Sequence, residues 1–299
     1  MLQQFHPANT DLLVNINGTL VHRDEAGVSP FDSSVQNGDA VWEGLRLYEG
    51  RIFKLEEHLE RLRRSAELLE YQGYPEEEVI VEQLKRTLVA NDMFDSVHVR
   101  LTISRGIKYT SGLDPRINTQ GCSFFILAEH KAPVYDKAGL VLHTATVRRP
   151  FANVLDQHIH SCNQLTSILA KLEANAVGAD DALLLDTEGN VAETNATHLF
   201  FVKDGVVITP TTRACPEGIT RMTVLSLCEQ HEIPSEVRDI PEAEIHESDE
   251  VFCTGTMGEI AAVTRIAETQ IGNGKPGPVT QRLSQLYGQV TATVGTRVV

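Results

Sequence analysis

The chain has 299 residues, 41% of them hydrophobic and 22% charged, and a formal net charge of −15. That mixture fills the cores of two ordinary soluble domains and excludes a disordered, fibrous or small disulfide-held protein. Its 26 lysines and arginines are outnumbered by 41 acidic residues and scattered along the chain, so no nucleic-acid partner is expected.

The five cysteines are widely spaced and form no CxxC pair, which argues against a disulfide framework. No basic region followed by an apolar block opens the chain, and no apolar run reaches the ~18 residues of a spanning helix. A cytoplasmic location without membrane contact is expected.

Taken in chain order, DLLVNING and TLVHRDE alternate around Asn17-Gly18, a pair that tolerates the positive φ of a tight hairpin turn. From Lys54 to Tyr71, the residues Leu55, Leu59, Leu62, Ala66 and Leu69 recur every three or four positions, predicting an amphipathic helix. A second such stripe runs from Glu76 to Leu88. HVRLTISRG (98–106) and CSFFILAE (122–129) are rich in β-branched and aromatic residues and predict strands. HKAPVYDKAG (130–139) has no periodicity and carries Pro133 and Gly139, as a linker does. The expected division is a smaller α/β domain at 1–131, a linker at 132–138 and a larger α/β domain at 139–299.

Beyond the linker, LVLHTATV predicts a strand and NQLTSILAKLEANAV (163–177) a helix with Leu165, Ile168, Leu169 and Leu172 on one face. ALLLD (182–186) predicts another strand, and THLFFVKDGVVITP a hairpin turning at Asp204-Gly205. A helix from about Gly218 to Cys228 and a strand EVFCTGT (250–256) follow. EGIT (217–220) opens that helix and TGT (254–256) ends that strand. Both geometries expose backbone N–H groups to an anion, and a phosphate fits between them.

Six motifs now stand in order: FDSSVQNGDAVWEGLR, IFKLEEHLERL, NQLTSILAKLEA, GNVAETNATHLFFV, PEGITR and FCTGTMGEIAAV. In order and spacing this series resembles the class IV aminotransferases, the fold-type IV pyridoxal-phosphate proteins that include branched-chain and D-amino-acid aminotransferases. The resemblance runs over residues 12 to 290. It implies a two-domain α/β fold of that type, pyridoxal phosphate as cofactor, a small amino acid or carboxylate as substrate, and a homodimer. By the same resemblance Arg61, in His58-Leu59-Glu60-Arg61, grips the cofactor phosphate with its planar fork of donors. Ile219, Thr220 and Thr256 supply the remaining phosphate contacts, and Glu193 pairs with the pyridine nitrogen. Arg100 and Met257 fall on the substrate side.

The departures from the family pattern cluster. Members carry Lys-Ser-x-Asn-Tyr where this chain carries His160-Ser161-Cys162-Asn163-Gln164, with the register fixed by the following LAKLEA. An imidazole has no primary amine, so it cannot link covalently to the cofactor aldehyde. The next lysine, Lys171, lies three helical turns on, ~16 Å away, and is structural in the family. Gln164 replaces the tyrosine at the cofactor's phenolic oxygen, while Asn37 and His98 replace two further active-site tyrosines.

Histidine retains the capacity for proton transfer near neutral pH, so His160 is read as a general acid/base of an isomerase, lyase or hydrolase. A conventional or weak transaminase is one alternative, and a non-catalytic binder of cofactor or amino acid another. His158, His160 and Cys162 would share one face of an extended strand, but no fourth ligand can be placed, and no metal is expected.

Overall fold

A computed structural model describes residues 3–135 and 138–299. The chain forms two compact units. The first comprises residues 3–132 together with Ile159–Asn163 and Thr291–Val299, and the second comprises Pro133–His158 and Gln164–Val290. The expected linker 132–138 includes Asp136 and Lys137, which lie outside the described residues.

The first unit contains β1 (Leu13–Ile16), β2 (Thr19–His22), α1 (Ser33–Asn37), β3 (Ala40–Tyr48), β4 (Arg51–Ile52), α2 (Leu55–Leu68), α3 (Glu77–Ala90), β5 (Val97–Ser104) and β6 (Ser123–His130). The hairpin turn falls on Asn17 and Gly18, at φ 50° and 82°, the paired positive values of a type I′ turn. The sheet runs β4-β3-β5-β6-β1-β2, with Thr296–Arg297 paired outside β4.

Alternation sorts β5 cleanly. Val97, Val99, Leu101 and Ile103 are fully buried, while His98, Arg100 and Thr102 are only partly so. Helix α2 packs over β3, and α3 over β1 and β6. Leu55, Leu59, Leu62 and Ala66 of α2 enter the core as their spacing predicts. Beside them His58, Arg61 and Ser65, at i, i+3 and i+7, are buried too, which makes a polar stripe along the covered face.

One correction concerns the domain division. The larger domain is not the continuous 139–299, because Ile159–Asn163 pairs with β3. Trp42 N donates to His160 O at 3.0 Å and Cys162 N to Ala40 O at 2.7 Å. β4 covers only the Leu47–Tyr48 end of β3, so the other half of that edge has backbone groups to satisfy, and this segment satisfies them. Thr291–Val299 rejoins the first unit in the same way, through Thr296 opposite Ile52.

The second unit is built from β7 (Leu140–Arg149), α4 (Leu165–Ala176), β8 (Asp181–Asp186), β9 (Val191–Thr194), β10 (His198–Lys203), β11 (Val206–Thr209), α5 (Ile219–Gln230), β12 (Ser235–Val237), α6 (Glu242–Ile245), β13 (Glu250–Gly255), β14 (Glu259–Ile266), β15 (Thr269–Gln270) and α7 (Pro278–Thr293). Its sheet runs β12-β11-β10-β13-β14-β7-β8-β9, with β15 on β14. Leu140, Leu142, Leu183, Leu199, Phe201 and Val251 contribute to its core.

Helix α4 seats Ala170 and Ala174 against Ala145, Ala182 and Leu184. These small side chains allow a close approach to the sheet. The apolar stripe foreseen for this helix lies elsewhere: Leu165, Ile168, Leu169 and Leu172 are 64%, 55%, 43% and 58% exposed.

Candidate active site

In the first unit the residues singled out from sequence gather around the first half of β3. Val41 bridges Ser161, which brings His160 beside Trp42. The two rings stack with centroids 4.5 Å apart. The Arg100 guanidinium lies over the Trp42 ring, 3.9 Å from its centroid, and its Nη2 is 3.7 Å from Cys162 Sγ. No carboxylate pairs with Arg100 among the described residues. His98 is held neutral, its imidazole pushed down to about 3 by burial and by Lys131, Arg46 and Arg100 nearby. Asn37 stands apart from this group, at the end of α1, where its Oδ1 accepts from Lys108 Nζ.

His160 is oriented from two sides. Its backbone N–H donates to Ser65 Oγ at 3.1 Å, and its Nδ1 lies 2.5 Å from Trp42 O. A carbonyl only accepts, so the proton sits on Nδ1 and the lone pair on Nε2. Nε2 makes no hydrogen bond among the described residues. Glu43, fully buried, lies 3.5 Å from His160 Nδ1. Arg61 grips both Glu43 oxygens, Nε to Oε1 at 2.8 Å and Nη2 to Oε2 at 2.7 Å, and His58 Nδ1 reaches Oε2 at 2.6 Å. Burial would raise the Glu43 carboxyl, but Arg61, His160 and His58 outweigh it and hold it well below the usual range. Burial and Arg61 lower the His160 imidazole below its ordinary value against the pull of Glu43, which favours the neutral base.

Sequence reading missed Glu43 and did not foresee that two donors of Arg61 are committed to it. The parity of VWEGL carried the signal, since Glu43 alternates with Val41 and Leu45 on the core side of β3.

The second unit gathers another set. Glu193, on β9, is buried with its Oε1 2.8 Å from Arg149 Nε, yet the N–H is misaligned and neither atom has a hydrogen-bond partner. Burial pushes the Glu193 carboxyl up to about 7, only partly offset by Arg149. Arg149 Nη2 donates to Ser167 Oγ at 2.8 Å, and Ser167 Oγ donates to Gln164 Oε1 at 3.1 Å. A polar chain thus runs from Gln164 to Glu193, and its middle members, Arg149 and Ser167, were not legible from sequence.

The two candidate phosphate loops meet around Thr197 and His198. A Cβ on Gly218 would sit 2.2 Å from the His198 ring, and one on Gly255 would sit 3.0 Å from Thr197 Cγ2. Only glycine permits the first of these approaches. Gly218 is the N-cap of α5 and no side chain caps that helix, so the amides of Ile219 and Thr220 begin it uncovered by a capping group. Thr256 and Met257 lie in the turn that links β13 to β14, with Met257 O accepting from Val134 N at 3.3 Å.

Glu193, His198 and Cys215 have donor atoms within 4.8 Å of one another, a set that sequence reading did not pick out. Arg149 already places a fixed cation against Glu193, and burial holds the Cys215 thiol well above its usual range; both disfavour a metal ion. His158 is engaged by Asp156, Nδ1 to Oδ1 at 2.9 Å.

Comparison with known proteins places this arrangement. The chain is 50% identical over 286 residues to branched-chain-amino-acid aminotransferase-like protein 2 of Arabidopsis thaliana, covering 95% of the chain and 51% of that protein. It spans about half the length of the Arabidopsis relatives it matches. It is 34% identical to a putative branched-chain-amino-acid aminotransferase of Methanocaldococcus jannaschii, covering 95% of the chain and 98% of the relative. Among solved structures, the T.th. branched-chain amino acid aminotransferase with pyridoxamine 5'-phosphate superposes at a TM-score of 0.88 with 33% identity, covering 97% of this chain and 95% of that one. No helix among the described residues is long and apolar enough to cross a membrane. The family model for amino-transferase class IV matches residues 40–266, from the β3 strand beside His160 to the end of β14, and the chain belongs to that family.

Proposed function

We propose that this class IV aminotransferase relative performs proton transfer on a small amino acid or carboxylate, with His160 as the general acid/base and without a covalent lysine link to its cofactor. The observation that carries the reading is the setting of His160, at the position that sequence resemblance gives to the family's lysine. Nδ1 is anchored on Trp42 O, which fixes the tautomer and leaves Nε2 as the proton acceptor. A depressed basicity keeps that nitrogen unprotonated at neutral pH. Arg100, without a carboxylate partner, takes the carboxylate of the substrate.

Pyridoxal phosphate fits the second unit's residues. Glu193, buried and lacking a hydrogen bond on Oε1, would hold the pyridine nitrogen, and the amides of Ile219, Thr220 and Thr256 would hold the phosphate. When bound, the cofactor supplies an electron sink for charge developing on the substrate. The covalent anchor does not fit, since His160 offers no primary amine. Arg61, two of whose donors hold Glu43, is assigned here to the support of His160.

The test is spectroscopic and chemical. Borohydride reduction of the protein with pyridoxal phosphate, followed by mass spectrometry, is expected to leave every lysine unmodified in a site-specific sense. A stoichiometric pyridoxyl adduct on Lys171 or another single lysine overturns the non-covalent reading. Robust transamination between branched-chain amino acids and 2-oxoglutarate overturns the altered reaction. Binding without turnover across a broad panel of acids favours a non-catalytic binder.

The protein is further proposed to act as a homodimer. The exposed stripe of Leu165, Ile168, Leu169 and Leu172 supports this, because one helix face of four large apolar residues left in water is costly and a second copy would cover it. Sedimentation should give a dimer at micromolar concentration, and Leu169→Glu should give a folded monomer. A wild-type monomer refutes the proposal.

A further inference from the structure

We propose that the indole of Trp42 is a positioning residue for His160 and couples it to Arg100, so that a carboxylate bound at Arg100 makes His160 a better proton acceptor. The proposal rests on the preceding reading of His160 and Arg100. It concerns the Trp42 side chain, whereas the tautomer of His160 is set by the Trp42 backbone carbonyl. That side chain meets its neighbours in three ways. Its ring stacks on the His160 imidazole, with centroids 4.5 Å apart and planes 26° from parallel. Its Nε1–H donates to Ser161 O at 3.1 Å, which ties down the residue after His160. The Arg100 guanidinium lies 3.9 Å from the ring centroid.

Strand alternation brings these groups together. Trp42 and Gly44 share one side of β3, and Gly44 stands opposite Arg100 of β5. A Cβ on Gly44 would lie 3.5 Å from Trp42 Cζ3, so the indole reaches alongside the glycine toward the arginine.

An aromatic face attracts a cation, but two cations on one indole repel each other and compete for it. While Arg100 lacks a carboxylate, its guanidinium occupies the ring and opposes a charge on His160. A bound acid neutralises the guanidinium and leaves the indole to stabilise the imidazolium. Linkage makes the effect reciprocal, since protonation of His160 must tighten carboxylate binding by the same factor. The other groups around His160 are already committed. Glu43 of β3 lies 3.5 Å from its Nδ1, and Arg61 and His58 of α2 are both bound to that carboxylate. On β5, His98 is neutral. Cys162, in the same segment as His160, faces Arg100 as a thiol that burial holds above its ordinary value.

Trp42 is the only tryptophan of the chain, so its fluorescence reports the stack directly. An imidazolium against an excited indole quenches it by accepting an electron, and a neutral imidazole does not. The full chain is titrated from about pH 8 to about pH 4 in sodium formate and in sodium chloride of equal ionic strength. A quenching transition is expected that His160→Gln abolishes. Formate should raise its midpoint by about half a pH unit or more. Arg100→Gln should raise the midpoint without formate and remove the response to formate. Imidazole proton resonances extend the test to Trp42 itself. The His160 signal, identified by its loss in His160→Gln, should keep the formate shift in Trp42→Phe and lose it in Trp42→Leu.

An equal formate shift in Trp42→Leu overturns the role of the indole, because the two charges then act on each other without it. A wild-type midpoint unmoved by formate overturns the coupling, as does fluorescence with no transition that depends on His160. If Trp42→Leu fails to fold, Arg100→Gln still decides: a midpoint that stays or falls in that variant overturns the proposal. Failure of the acid/base reading is seen separately, in turnover by His160→Ala, which neither spectrum measures.

Discussion

Glu43 in the first unit and Glu193 in the second are both buried carboxylates beside an arginine, yet they end in opposite states. Arg61 meets Glu43 fork to fork, with two aligned donors at 2.8 and 2.7 Å, and His58 adds a third contact at 2.6 Å. Arg149 comes just as near to Glu193, at 2.8 Å, but its Nε–H is poorly aligned with the oxygen. The first carboxyl is therefore held well below the usual range, and the second is pushed up to about 7. Proximity alone does not stabilise a buried charge; alignment does. The Glu43 network is internally complete and acts as scaffold for His160, whereas Glu193 retains an unmet hydrogen bond of the kind a ligand supplies.

The sharpest test of the scaffold role is the residue it supports. His160→Ala should lower turnover with the native substrate by ~10² to 10⁴-fold without unfolding the chain. In the wild type, the acid limb of the kcat/KM profile should fall below the ordinary histidine value of 6.5, as its lowered basicity requires. Unchanged turnover in the alanine variant would reduce His160 to a structural residue stacked on Trp42.

Next in size is the cost of breaking the completed network. Glu43→Gln leaves Arg61 buried without its charge partner and should destabilise the first unit by about 3 to 5 kcal/mol in denaturant titrations. The linkage has a definite sign. Because the folded carboxyl ionises more readily than the unfolded one, its stabilisation is present above the unfolded value and disappears as pH falls through the lower folded value. The wild type should therefore lose this contribution only in strong acid, and the variant should lack that component of acid unfolding. A change below about 1 kcal/mol would mean that the ion pair does no better than neutral packing.

Much of this was legible in the sequence, and the failures have physical causes. Periodicity located α2 and α4 with equal clarity, but it cannot say what covers an apolar face. The leucines of α2 face a sheet of the same unit; those of α4 face outward, while Ala170 and Ala174 make its contact with the sheet. Glu43 follows the parity of Val41 and Leu45, so alternation places it in the core, although a charged strand residue is ordinarily assigned to solvent. His58, Arg61 and Ser65 repeat at helical spacing, which is the matching signal on α2. Arg149 had no such signal, because β7 shifts register between Thr144 and Arg148 and its alternation is broken before the residue is reached. The role of His160 as a neighbour of β3 was also hidden, since pairing between residues 42 and 160 is a long-range fact that local pattern does not encode.

The smallest effect is the most specific to the comparison, because it should carry the opposite sign. Glu193 has its folded value raised from 4.5 to about 7, so between these limits the folded state holds a proton that the unfolded state has released. Stability from this group should accordingly fall as pH rises from about 4.5 through 7, by roughly 3 kcal/mol, and level off above. Glu193→Gln removes the titration, so the difference in stability between wild type and variant should narrow or reverse across that window, measured by urea midpoints at pH 5 and pH 8. A ligand that donates a hydrogen bond to the ionised carboxylate lowers its value and flattens the wild-type slope, and saturating pyridoxal phosphate should do so in the wild type and not in the variant. If wild type and Glu193→Gln instead run parallel from pH 5 to 8, Arg149 aligns with Glu193 in solution as Arg61 does with Glu43, and the contrast between the two carboxylates fails.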